Sequence, residues 1–225
     1  MLAMSVRIFL FYLCLVSPAL AGQIGAVGRL ENTRSNGGCT GVLVAPDLVL
    51  SAAHCISPDS TTFAFRPGDG RINRVRHGLV KVYHHPMYEL TQDRILWKLR
   101  FDLAIARLEA PVPAARATPI PPGPEAQVGE TLFIVSWRRD GSTKPRQRAC
   151  EVIEGATGLV TLACAVQGGE SGAPVLRKTE DGLELVAIIS SRAQILDQPI
   201  AQASDVALRL PPLMELIEAP DNTGD

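Results

Sequence analysis

Apolar residues in this chain come in short runs closed by Gly, Pro, Asn or Asp, the pattern of β-strands joined by turns. Residues Ala26 to Leu30 form the first such run, and Asn36-Gly37-Gly38 marks a turn after it. Cys39 to Ala45 and Leu48 to Ser51 flank Pro46-Asp47 and predict a buried hairpin. Ala52 to Cys55 follows as a short helical turn. Phe63 to Arg66 and Val75 to Tyr83 are further strands. In the second, Val75, Leu79 and Tyr83 share one side by period two, with His77 interrupting. Trp97 to Arg100 leads into an apolar strand from Phe101 to Leu108 that holds one acid, Asp102.

Six prolines between Ala110 and Gly129 remove the amide donors that a ladder needs. This span reads as an extended linker between two halves of similar size. The expected boundaries are 22–110 for the first half, 111–128 for the linker and 129–225 for the second. Strands resume over Thr131 to Trp137, followed by a loop holding Asp140-Gly141. Cys150 to Ile153 and Leu159 to Cys164 flank a Gly-Ala-Thr-Gly turn. Val175-Leu176 and Leu185 to Ser190 flank Asp181-Gly182. A short terminal helix is expected over Leu213 to Glu218, with Pro211-Pro212 opening it.

The N-terminus is a different kind of segment. Arg7, an apolar run from Ile8 to Val16, and Ser17-Pro18-Ala19-Leu20-Ala21 predict a secretory signal peptide over residues 1–21. The run is shorter than the roughly 20 residues of a spanning helix, and no later stretch is apolar enough to cross a membrane. Export makes the protein secreted or periplasmic. It removes Cys14 and leaves Cys39, Cys55, Cys150 and Cys164. Four cysteines in two close pairs predict disulfides Cys39–Cys55 and Cys150–Cys164. Each closes a loop of about 15 residues, worth about 3 kcal/mol in the chain-entropy model. No C-x₂-C pair is present and the histidines fall at no ligand spacing, so neither a metal nor another cofactor is expected.

Composition adds mainly exclusions. The 225 residues carry a formal charge of −1, which offers no field for nucleic acid or an acidic membrane surface. His77 and His84 are expected at the surface, and His85-Pro86 with Tyr88 as a structural turn. Arg138, Arg139, Lys144, Arg146 and Arg148 form a basic loop, by default a solvated one.

One octet carries chemistry, Gln167-Gly168-Gly169-Glu170-Ser171-Gly172-Ala173-Pro174. Glycines allow a sharp turn and close approach to the main chain. A serine there becomes a nucleophile only with a base, and the base needs a third group to orient it. His54 and Asp102 are the candidates, the acid because an apolar strand draws it toward the core.

These three contexts resemble those of the trypsin- and chymotrypsin-like serine proteases. VLSAAHC around His54 is similar to the family's histidine motif and FDLAIARL around Asp102 to its aspartate motif. GESGAP around Ser171 is similar to its serine motif, GDSGGP. The order His, Asp, Ser also matches. The compact size and Cys164 seven residues before Ser171 look most like the bacterial glutamyl-endopeptidase-like branch. The resemblance implies an all-β fold of two antiparallel Greek-key β-barrels packed around a cleft. It implies a secreted serine endopeptidase acting as a monomer on proteins or peptides. His54 would be the general base, Asp102 the orienting acid, Ser171 the nucleophile, and the Gly169 and Ser171 amides the oxyanion donors. Ala165, Ser190 and Arg192 fall at substrate-binding positions. Glu170 stands where the family has an Asp that pairs with a new N-terminal amine after cleavage. The start expected here, Gly22, lies too close to the first strand for that, so the turn is expected to be held in another way. A binding protein that kept the fold without activity and a secreted serine esterase are the rival readings.

Overall fold

The computed structural model describes residues 22–35, 37–57, 62–68, 75–91, 93–140 and 142–219. The expected signal peptide lies outside the described residues, as do Asn36 and Gly141 of two expected turns. Twelve strands form two closed antiparallel barrels. The first contains β1 (Val27–Asn32), β2 (Gly38–Ala45), β3 (Leu48–Ser51), β4 (Phe63–Arg66), β5 (His77–His84) and β6 (Ala104–Leu108). The second contains β7 (Thr131–Ser136), β8 (Arg146–Ala156), β9 (Leu159–Leu162), β10 (Pro174–Lys178), β11 (Leu183–Ile195) and β12 (Gln198–Asp205). Neighbours run β1-β2-β3-β6-β5-β4 in one and, read from its other end, β7-β8-β9-β12-β11-β10 in the other. The two orders are one topology used twice, although the sequence carries no repeat. Closure removes the exposed edges that an open sheet would leave.

Each barrel fills its own interior. Leu30, Val42, Leu50, Phe65 and Ile105 are among the buried residues of the first core. Leu132, Ile134, Leu162, Val175 and Val186 belong to the second. The proline-rich span crosses between them and bonds to both. Ile120 N donates to Leu43 O at 3.0 Å, and Leu185 N donates to Pro121 O at 2.8 Å. Cys39–Cys55 links β2 to the 3-10 turn Ala53–Cys55, with Cα atoms 6.1 Å apart. Cys150–Cys164 links β8 to the segment after β9, with Cα atoms 5.7 Å apart. Among the described residues no helix is long and apolar enough to cross a membrane.

Four local expectations change. Two short helices, α1 (Pro86–Leu90) and α2 (Ile95–Arg100), stand where only loop and strand entry were expected. β12 has no counterpart in the sequence reading, because Gln198-Pro199 and Gln202 dilute its apolar signal; pairing with β9 and β11 makes it a strand. The terminal helix α3 (Val206–Glu218) starts seven residues early and carries Pro211 and Pro212 inside it. An interior proline costs about 3 kcal/mol. The Asp205 side chain, which accepts from Leu208 N at 2.9 Å, caps the start, and buried Val206, Leu210 and Leu213 offset the loss. His77 is buried, since it shares the inward side of β5 with Leu79, and His84 is half-buried.

His85 connects β5 to α1 and is itself buried. Its Nδ1 accepts from Met87 N at 3.2 Å, which requires the neutral ring, and it packs against Phe101. Burial, aided by the Arg209 charge, lowers its pKa to about 4 from 6.5. The unfolded chain therefore binds this proton more readily. Stability from the neutral ring is complete above pH 6.5 and is lost as pH falls toward 4. Urea unfolding at pH 7 and pH 4 should show a drop of up to about 3 kcal/mol from this group. A His85→Asn variant, which keeps a capping oxygen, should lose correspondingly less.

Candidate active site

Asp102 lies between α2 and β6 with buried Phe101 and Leu103 on either side, and only 3% of it is exposed. A buried carboxylate must be supplied with donors. His54 provides two of them: its backbone N reaches Oδ1 at 2.9 Å and its ring Nδ1 reaches Oδ2 at 2.6 Å. The third is Ser190 Oγ, which also donates to Oδ2. Ser190 sits at a register shift in β11, between Ile189 and Ser191. A bulge re-aims a side chain, and here the buried Ser190 presents its hydroxyl to Asp102. Ser204 Oγ donates to Leu99 O at 2.7 Å and so ties β12 to α2 beside the acid. Since a carboxylate only accepts, the proton of the His54 to Asp102 bond is carried by Nδ1, which leaves Nε2 as the basic nitrogen.

Ser171 lies in the octet turn between β9 and β10. The turn is bound to the first barrel through Thr40, a fully buried residue of β2. Thr40 N donates to Ser171 O at 2.8 Å, and Thr40 Oγ1 donates to Gly169 O at 2.9 Å. The same hydroxyl accepts from Trp137 N at 2.9 Å. Gly172 has φ +76°, and a Cβ there would stand 2.1 Å from Ser51 Oγ and 2.2 Å from Thr40 O. The serine turn thus packs onto the residues that lead into His54. The Cys39–Cys55 bridge joins the neighbours of Thr40 and His54 from the other side.

The peptide of the preceding turn faces outward. Glu170 N donates to Gln167 O at 3.1 Å and Gly169 has φ +93°, the features of a type II turn. Gly168 O accepts from Arg139 N at 3.3 Å and so points away from Ser171. Among the described residues the amides of Gly169 and Ser171 donate to no protein acceptor. Two free N–H groups on one turn form a cradle for an oxygen that gains negative charge. Ser171 Oγ likewise bonds to nothing among the described residues, and His54 Nε2 is 3.7 Å from Cys55 Sγ. Among the described residues no hydrogen bond joins the His54 and Ser171 side chains.

Glu170 is fully buried, and its charge is met by two arginines. Oε1 accepts from Ser136 Oγ at 2.7 Å, from Arg138 Nε at 3.3 Å and from Arg148 Nη2. Oε2 accepts from Gln167 N at 2.7 Å. Arg148 also donates to Ala165 O. Two members of the basic loop are therefore partners of the serine turn, not solvated charge. The N-terminal segment lies elsewhere: Gln23 Oε1 accepts from Leu183 N at 2.9 Å, and Gly22 O accepts from Thr118 N at 3.0 Å.

A cavity of about 480 Å³ opens beside the turn, with Ala165, Gln167 and Arg192 in its wall. Ala165 and Arg192 are exposed there, whereas Ser190 faces Asp102. Thr40 and the Glu170 arginines escaped the sequence reading; a lone threonine among apolar neighbours in β2 was the one signal of the former. Among the described residues Cys39, His54 and Cys55 place potential ligand atoms within 4.8 Å, but the sulfurs are bonded to each other and are not thiolates. A family model described as a trypsin-like peptidase domain matches residues 39–188, a range that reaches into both barrels and contains His54, Asp102, Glu170 and Ser171 but ends before Ser190 and Arg192.

Replacing Glu170 with Ala leaves Arg138 and Arg148 without their carboxylate. Loss of one partner of a buried pair costs about 3–5 kcal/mol. Denaturant unfolding of Glu170→Ala should show a loss of that size, and a loss below about 1 kcal/mol would contradict the structural role given to the pair.

Proposed function

Because the chain belongs to the trypsin-like peptidase family, we propose that it is an exported serine endopeptidase that cleaves proteins or peptides through an acyl-enzyme. The observation that carries this reading is the free amide pair of Gly169 and Ser171 beside a histidine fixed by a buried acid. His54 Nε2 takes the proton of Ser171 Oγ as that oxygen attacks the carbonyl. Asp102 keeps the ring in the required tautomer and stabilises the imidazolium that forms. The two amides hold the oxyanion; loss of one such donor typically costs about 3 kcal/mol of barrier. His54 then returns the proton to the leaving amine, and water releases the acyl group by the same steps. Ala165 and Arg192 border the cavity for the residue before the scissile bond, and the edge of β11 at Ser190 offers its backbone to an extended substrate.

The Glu170 partners support a second element of the proposal: no activating cleavage follows signal removal. In this reading Arg138 and Arg148 supply the positive charge that the resemblance would assign to a new N-terminal amine. The lack, among the described residues, of a hydrogen bond between His54 and Ser171 favours one rival, a binding protein without turnover. Against that rival, catalytic hydrogen bonds are commonly long or misaligned in unliganded sites and tighten when substrate enters.

A fluorophosphonate probe separates the two readings. The mature protein should be labelled and Ser171→Ala should not; a folded, unlabelled wild type would favour the binding protein. His54→Ala should lose labelling as well, and full labelling of that variant would remove His54 as the base. Protein beginning at Gly22 should hydrolyse substrate at once. Activity that appears only after proteolytic trimming would overturn the arginine assignment.

A further inference from the structure

A second cavity, of about 430 Å³, reaches the serine turn at Gly169 and shares no lining residue with the cavity at Ala165. Gly169 forms part of its wall, as do Cys39 and Trp137, and four arginines line it: Arg29, Arg76, Arg138 and Arg139. Among the described residues Glu31 is the one acid in that wall. Its carboxylate is shared between Arg66 and Arg76, and Arg138 is engaged by Glu170. Arg29 donates to Arg138 O at 3.1 Å and to Ser142 O, and Arg139 donates to Gly38 O at 3.0 Å. Both donate to neutral carbonyls, and among the described residues neither guanidinium forms an ion pair with a carboxylate. Burial and the Arg66 charge lower the Arg29 pKa, with Glu31 and Asp140 opposing this. Arg29 also lies over the Trp137 ring, 4.5 Å from its centroid, which holds the guanidinium on the cavity wall.

We propose that this groove binds acidic residues of the substrate downstream of the scissile bond. The inference rests on the peptidase reading for its direction. The carbonyl carbon is held between Gly169 and Ser171, and the residue before it occupies the cavity at Ala165 and Arg192. The chain that carries the leaving amine must then exit past Gly169 and Cys39, into the arginine-lined groove. Aspartate or glutamate there adds charge-assisted bonds to cations that have none to a carboxylate. Neutral substrates gain nothing from the groove, so the residues select among peptides and take no part in the bond-breaking step.

Two measurements test this on the full mature protein. In the first, peptides randomised upstream carry Glu-Glu or Gln-Gln downstream, with cleavage sites mapped by mass spectrometry. The acidic set should be favoured roughly tenfold in kcat/KM, as a pair of partly exposed ion pairs allows. The preference should shrink toward unity at about 0.5 M salt. Arg29→Gln should reduce it while cleavage of the neutral set continues, and Arg29→Lys should retain most of it. Equal rates for both sets would overturn the groove and leave the peptidase reading standing. In the second, fluorescein-labelled versions are titrated onto the Ser171→Ala protein, which needs no turnover. Acidic peptides should bind roughly tenfold more tightly than their Gln-Gln counterparts. Equal affinity would overturn the groove whether or not the wild type cleaves anything.

Discussion

A carboxylate removed from water must be given donors, and this molecule meets that requirement twice at the seam between its barrels. Asp102 is reached by His54 from the first barrel and by Ser190 from the second. Glu170 is reached by Ser136, Arg138 and Arg148. Either acid without its partners would cost several kcal/mol, about the scale of a domain's net stability. The Asp102 donors arrive only when the two barrels pack together, and the Glu170 donors only when β7 and β8 of the second barrel meet its serine turn. Folding and site assembly are therefore one event, and the cost of burial enforces the geometry.

The duplicated topology explains why the seam is the place for chemistry. Each barrel closes its own strand ladder and fills its interior with apolar side chains. The groups that remain are on the turns that face each other. Thr40 shows how closely these are coupled. One buried residue of β2 holds Ser171 O and Gly169 O through its amide and hydroxyl and receives Trp137 N. Gly172 allows the contact because no Cβ stands between the serine turn and Ser51. A substitution at either position acts on the amide cradle without touching substrate.

What could be read from the sequence was what is local. The β2–β3 hairpin, the cysteine pairing and the three motifs depend on near neighbours, and the pattern of apolar runs announced an all-β chain. What could not be read depends on distant groups. Arg138 and Arg148 stand 32 and 22 residues from Glu170, and nothing in a basic loop distinguishes a solvated arginine from a buried partner. Ser190 is legible in sequence only as a substrate-binding position, whereas the fold places its side chain on Asp102. β12 was hidden by proline and glutamine, since its strand character comes from the partners on both sides. In α3 the prolines signalled a helix start, while Asp205 and the buried leucines set the actual one.

The central claim is that the serine turn is held ready, with the Gly169 and Ser171 amides free and the Gly168 carbonyl turned out. The most direct test is a crystal structure of the mature protein after reaction with a peptidyl phosphonate. The account predicts phosphorus bonded to Ser171 Oγ, with a phosphoryl oxygen about 3 Å from both amides. His54 Nε2 should lie within hydrogen-bond reach of the adduct, and Glu170 should remain on its arginines. A phosphoryl oxygen facing solvent, or a Gly168–Gly169 peptide rotated to place its carbonyl in the cradle, would contradict it.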